Sequence, residues 1–144
     1  NTTARFIELA RELNMAMTEH VGHRLLRALN DDGRAIRGSR IMLLGVAYKR
    51  NIDDTRESPA GRLLELLEVK GARVSYHDPF VAEYHGHKST PLTAEALREC
   101  DAALVVTDHD DVDYALVGEH APLVVDTRNV MAALGDVKAR VVRA

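Results

Sequence analysis

From residue 5 to residue 30, apolar side chains return every three or four positions: Phe6, Leu9, Leu13, Met17, Val21, Leu25, Ala28 and Leu29. That spacing predicts one face of an α-helix. Thr2 or Thr3 is placed to cap its start, and Gly33 marks its stop. At 1.5 Å per residue the element would be roughly 40 Å long, longer than a small domain is wide. Gly22 and the Thr18-Glu19-His20 stretch are the places where it would bend. A stripe of that length needs a cover, supplied by this domain, by another domain or by another subunit.

After Gly38 the pattern changes to short apolar runs separated by helical spacing. The continuous run Ile41-Met42-Leu43-Leu44-Gly45-Val46 predicts a strand buried on both faces. Pro59 sits at a first helical turn with Ser58 as cap, and Leu63, Leu64, Leu66 and Leu67 form a buried face that ends at Gly71. Residues 73–77 predict a second strand stopped by Asp78-Pro79, and 93–100 a short helix capped by Thr93. Strands at 103–106, 123–126 and 140–142 follow, with helices at 112–119 and 130–134 between them. Strands separated by helices require parallel crossovers, so the fold class is α/β, an open Rossmann-like sheet of about five parallel strands. The organisation expected is a linking helix over residues 1–35 and an α/β domain over 36–144.

The 144 residues suffice for one such domain, large enough to fold without disulfide or metal. A net charge of -3 gives no reason to expect nucleic acid or an anionic membrane as partner. The single cysteine, Cys100, excludes an internal disulfide and suits a reducing, cytoplasmic setting. No apolar run approaches the roughly 20 residues of a membrane span. The start Asn-Thr-Thr, without methionine, suggests a piece of a longer protein.

In open parallel sheets, ligands bind beyond the carboxyl ends of the strands, where strand order reverses. If the first strand neighbours the fourth, the crevice lies between loops 47–57 and 127–129, with Lys49, Arg50, Arg56 and Arg128, a cationic cleft suited to a diphosphate. If it neighbours the third, the second wall becomes 107–111, acidic and suited to a metal or a phosphoacceptor. The first loop is not a glycine-rich phosphate loop, since only Gly45 is available, so side chains must meet any phosphate charge. A lysine after a strand is by itself most often a solvated surface charge.

The sixteen residues Gly45-Val46-Ala47-Tyr48-Lys49-Arg50-Asn51-Ile52-Asp53-Asp54-Thr55-Arg56-Glu57-Ser58-Pro59-Ala60 resemble the signature of the UDP-glucose/GDP-mannose dehydrogenase family's C-terminal domain. Tyr76-His77-Asp78-Pro79-Phe80, Thr107-Asp108-His109 and Val125-Asp126-Thr127-Arg128-Asn129 look like that family too. The early helix, with Asn14, Met17 and Val21, resembles the helix that links the family's two α/β domains and builds its dimer. One departure is Thr18, where relatives often carry proline.

The resemblance implies an enzyme of polysaccharide biosynthesis that oxidises the C6 alcohol of a nucleotide sugar to a carboxylate with two NAD+ per turnover. A cysteine captures the intermediate aldehyde, which turns it into a hydride donor. That cysteine and the NAD domain lie upstream of the linking helix, so this chain would be inactive alone. The resemblance further implies that Tyr48 and Lys49 contact sugar and phosphates, that Arg128 is a second cation on the UDP-sugar, and that Arg56 reaches NAD held elsewhere. These positions favour the order in which the first strand neighbours the fourth. Ala-Tyr-Lys in the loop and Asp-Thr-Arg-Asn at the fourth strand look like the branch acting on UDP-N-acetylhexosamines. A homodimer through the first helix is implied as well.

Other residues invite chemistry that their setting does not favour. Cys100 closes a short helix beside Asp101 and is expected buried and inert. Asp53 and Asp54 are expected to order their loop by accepting backbone hydrogen bonds or by pairing with Arg56. Glu57 is expected to support Arg56 or the helix start. His77, His85 and His87 lack cysteine partners for zinc and are expected exposed. His109, among acids, is expected in a strand-end loop facing the crevice. The competing class is a receiver-like signalling domain using Asp53, Asp54 and Asp108, against which stands the stretch 47–52 that keeps the acidic pair away from the strand end.

Overall fold

A computed structural model describes residues 2–56 and 58–144 of the chain. The elements are α1 (Thr2–Asp31), β1 (Arg40–Leu44), α2 (Ala60–Val69), β2 (Arg73–His77), β3 (Glu83–Tyr84), β4 (His87–Lys88), α3 (Ala94–Glu99), β5 (Ala102–Val105), α4 (Tyr114–His120), β6 (Leu123–Asp126), a 3-10 turn (Met131–Leu134) and β7 (Arg140–Arg143). The α/β class and the long first helix are those expected. α1 continues through Gly22, and Thr18 bonds back to the Asn14 carbonyl at 2.8 Å inside it. Thr2 and Thr3 lie within the helix, so neither stands ahead of it as a cap.

The main sheet runs in the order β2-β1-β5-β6-β7, all neighbours parallel. β1 therefore pairs with the third predicted strand and not with the fourth, which corrects the order favoured above. Two cationic loops need no adjacent strands to approach each other, because Arg128 reaches the Val106 carbonyl just past β5. The connection from β1 to β2 runs outward through α2, and that from β2 to β5 runs back past β1 through α3, so with the usual right hand their helices fall on opposite faces. The core divides accordingly. Ile41, Leu43, Leu104 and Val125 point to the face covered by α2 and the second half of α1 (Val21, Leu25, Ala28, Leu29). Met42, Leu44, Val105 and Val124 point to the face covered by α3 and α4, through Leu97 and Val117.

α1 takes the place of a crossover helix over β6 and β7, where Arg24 donates to the Arg143 carbonyl and Arg140 to the Ala28 carbonyl. Its first half stays outside this core: Phe6, Leu9, Leu13 and Met17 are largely exposed.

Smaller differences have local causes. β1 ends at Leu44 because Gly45 takes φ 85 and turns the chain away. The hairpin of β3 and β4 was not expected. His85 (φ 49) and Gly86 (φ 79) form the two left-handed positions of its tight turn. That turn separates the histidines: His85 leans on Tyr84, His87 meets Glu68 at 3.4 Å, and His77 meets the Thr90 carbonyl at 2.8 Å. His77 and His87 are half-buried, where exposure was expected.

Candidate functional site

The reversal of strand order lies between β1 and β5, so the crevice is walled by loop 45–59 after β1 and loop 106–113 after β5, with loop 127–130 after β6 beside them. Gly45 permits the first two loops to meet. An added Cβ would collide with the Thr107 carbonyl oxygen, and the positive φ is itself unfavourable for any other residue. Thr107 closes the contact by donating its hydroxyl to the Ala47 carbonyl at 2.7 Å.

The wall at 107–111 is acidic in sequence, but cations occupy it. Arg50 binds Asp108 through Nη2 at 2.5 Å and Nε at 3.2 Å, and these hydrogen bonds push the guanidinium's pKa further up. Arg128 arrives from the other side, with Nη1 4.0 Å from Asp108 and Nε donating to the Val106 carbonyl at 3.0 Å. The structure thus brings Arg50 and Arg128 together around one carboxylate. Lys49 is exposed and joins no ion pair among the described residues. Tyr48, 48% exposed, is fixed through its backbone N–H to the Asp54 carbonyl at 2.7 Å.

Arg56 is not part of this group. Its guanidinium is 87% exposed and folds onto Asp54, with Nη2–Oδ2 at 2.9 Å and Nε–Oδ1 at 3.0 Å. Those bonds hold the Asp54 carboxyl down at about 2. The expected pairing of Asp54 with Arg56 is present. Glu57, assigned a supporting role above, lies outside the described residues.

Two residues act here in roles that the sequence did not assign to them. Asp126 accepts the Arg128 N–H at 3.0 Å and the Met131 N–H at 2.9 Å, which folds the loop that aims Arg128. Asp54 accepts the Arg56 N–H at 2.9 Å in the same manner. Both are Asp-Thr-Arg tripeptides, and an aspartate bonding two residues ahead is a readable turn signal. Their guanidinium groups then diverge, Arg56 back to its own aspartate and Arg128 across to β5. Asp108 is the second: the sequence offered it only as an acid of the competing receiver-like site, whereas here it lies between Arg50 and Arg128. Nearby, the Tyr114 hydroxyl is the buried side-chain oxygen without a hydrogen-bond partner among the described residues. Burial first, then Asp108 and Asp126, push its pKa up, so it remains a neutral donor.

His109 does not face the crevice as expected. It is fully buried, with Nε2 2.9 Å from Asp78 and Nδ1 accepting the Asn51 N–H at 2.8 Å. Cys100 is buried as expected, its thiol directed at the Leu97 carbonyl and pushed up to about 12, chiefly by burial.

Below Arg128 a cavity of about 230 Å³ opens, lined by Met17, Val21, Pro59, Leu63, Val106 and Thr127 among others. A cationic rim over an apolar floor suits an amphiphilic anion such as a nucleotide. The acids do not form the receiver arrangement: Asp54 is held by Arg56, Asp108 by Arg50, and Asp53 is exposed. Among the described residues no group of three or more histidine, cysteine or carboxylate side chains is placed to hold a metal.

Residues 42–133 match the UDP-glucose/GDP-mannose dehydrogenase family, UDP binding domain. The chain is 35% identical over 136 residues to a UDP-N-acetyl-D-mannosamine dehydrogenase of Methanococcus maripaludis, covering 89% of this chain and 31% of that protein. It is 32% identical over 140 residues to a UDP-glucose 6-dehydrogenase of Rhizobium meliloti, covering 90% of this chain and 31% of that protein. Among solved structures, the NDP-N-acetyl-D-galactosaminuronic acid dehydrogenase of Methanosarcina mazei superposes with a TM-score of 0.77 at 28% identity, over 94% of this chain and 30% of that one. The chain spans 31% of the length of both curated relatives. Sequence and fold agree on one conclusion: the chain belongs to the UDP-glucose/GDP-mannose dehydrogenase family.

Proposed function

We propose that this chain is the nucleotide-sugar-binding part of an NAD-dependent UDP-sugar 6-dehydrogenase, acting on a UDP-N-acetylhexosamine. The observation that carries the proposal is the meeting of cationic loops at the reversal of strand order, with Arg128 aimed across β5 towards Arg50 and Asp108. Tyr48, Lys49 and Arg128 are the substrate-binding residues. Lysine offers a mobile point charge and arginine a planar fork, and together they hold a diphosphate without a glycine-rich loop. The choice of sugar is supported by the Ala-Tyr-Lys loop and by relatives named UDP-N-acetyl-D-mannosamine dehydrogenase.

NAD, when bound, accepts the hydride leaving C6. This chain has one residue suited to it, Arg56, whose exposed guanidinium would exchange its pair with Asp54 for a phosphate held by another domain. Residues 36–144 form the binding domain, and residues 1–35 are the linking helix through which two copies associate. The exposed row Phe6, Leu9, Leu13 and Met17 supports that role. The chain alone lacks both an NAD domain and a reactive thiol, so mixing it with NAD and a UDP-sugar will produce no NADH absorbance.

Calorimetric titration with UDP tests the reading. Binding by the wild type and its loss in Lys49→Ala is expected, at about 1.5–3 kcal/mol for a charged hydrogen bond. Equal affinity in Lys49→Ala, or binding of magnesium with a phosphate mimic that Asp108→Asn abolishes, would contradict it.

A further inference from the structure

We propose that His109 is a positioning residue for the UDP site: from beneath the crevice, its imidazole sets the turn at Asn51, and through it the direction in which Lys49 and Arg50 are presented. This inference rests on the UDP-binding reading above.

The contacts are directional. The Asn51 N–H donates to Nδ1, so Nδ1 carries no proton. Nε2 therefore carries the proton and donates to Asp78 Oδ2 at 2.9 Å. Asp78 is itself immobilised, Oδ2 accepting the Val46 N–H at 2.8 Å and Oδ1 the Phe80 N–H at 2.8 Å. The Phe80 ring leans on the imidazole with centroids 4.8 Å apart. One tautomer in one orientation results, with its acceptor aimed at a single backbone N–H.

The donor of that bond is the left-handed residue of the substrate loop. Asn51 has φ 63, a conformation few side chains tolerate, and it reverses the chain directly after Lys49 and Arg50. Successive residues of the β5 loop fasten it. Asp108 takes Arg50, His109 takes the Asn51 backbone, and Asp110 exchanges two bonds with the Asn51 side chain, at 2.7 and 2.9 Å. The His109 bond and the Arg50–Asp108 pair are both partly buried, whereas the Asp110 exchange is at the surface and open to water. Burying an imidazole is unfavourable unless both nitrogens are satisfied. Here both are, one by the scaffold and one by the loop.

A purely structural histidine and a positioning one separate by which nitrogen matters. Asparagine places an oxygen near Nδ1 and keeps the acceptor for Asn51. Glutamine places an N–H near Nε2 and keeps the donor to Asp78. The experiment uses the 144-residue chain, with UDP titrated into wild type, Lys49→Ala, His109→Asn and His109→Gln, and with thermal melts and amide exchange at Asn51 alongside. His109→Asn is expected to bind UDP within about threefold of wild type, while His109→Gln loses about tenfold and its Asn51 amide exchanges faster. Affinity that follows melting temperature regardless of the acceptor would overturn the positioning role and leave the UDP site intact. Failure of the wild type itself to bind UDP would overturn the UDP-binding reading, and the positioning role with it.

Discussion

Gly45 is the residue on which the crevice depends most simply. Its φ of 85 and the Thr107 carbonyl against its absent Cβ make two separate objections to a side chain. Gly45→Ala should destabilise the chain by about 2 kcal/mol or more, read from urea denaturation. Gly33, also at positive φ but with open space around it, should tolerate alanine with a smaller loss. Asp54 offers a pH test. Its folded pKa lies below the ordinary carboxylate value, so the Arg56 pair contributes above the ordinary range and is lost as pH falls through about 2. Carboxyl carbon shifts followed by NMR should place Asp54 near 2 in the wild type and return it to the usual range in Arg56→Ala. Cys100, buried and pushed up to about 12, should resist thiol reagents at neutral pH until the chain unfolds.

At the scale of elements, α1 divides into an exposed first half and a second half buried on this domain. Leu25, fully buried against α2, should cost about 2–5 kcal/mol of stability when replaced by alanine. Leu9 is exposed, so its replacement by alanine should change stability little; under the proposed dimer role of this half it should also weaken self-association, measured by sedimentation. The periodicity of the first 30 residues announced the helix but not this division, because an apolar stripe looks the same whether its partner is inside the chain or outside it. The strands were legible for a different reason. β1, β5 and β6 are short apolar runs buried along nearly their whole length, which leaves little else for such a run to be, whereas β2 and β7 at the sheet edges are only partly buried. The β3–β4 hairpin escaped because two-residue strands are too short to show alternation, although His85-Gly86 carried the turn signal.

For the molecule as a whole, pairing order was the property that local sequence could not supply. Nothing in Ile41–Leu44 distinguishes β5 from β6 as neighbour, since both are four-residue runs buried along their whole length. The resemblance favoured the wrong neighbour because it treated two cationic loops as needing adjacent strands. Arg128 instead spans β5, from its anchor on Asp126 to the Val106 carbonyl. The proposed site residues could be named from the sequence as side chains on strand-end loops, whereas the contacts of Asp108, Asp126 and His109 with those loops emerge only from the fold. The direct check on the proposed anion site at the strand-order reversal is a nitrogen-15 correlation spectrum of the chain recorded during addition of UDP. Shifts concentrated at residues 48–50, 107–108 and 127–129 are expected, whereas shifts confined to the far ends of the strands, or to the exposed half of α1, would contradict a diphosphate site at the mouth of β1 and β5.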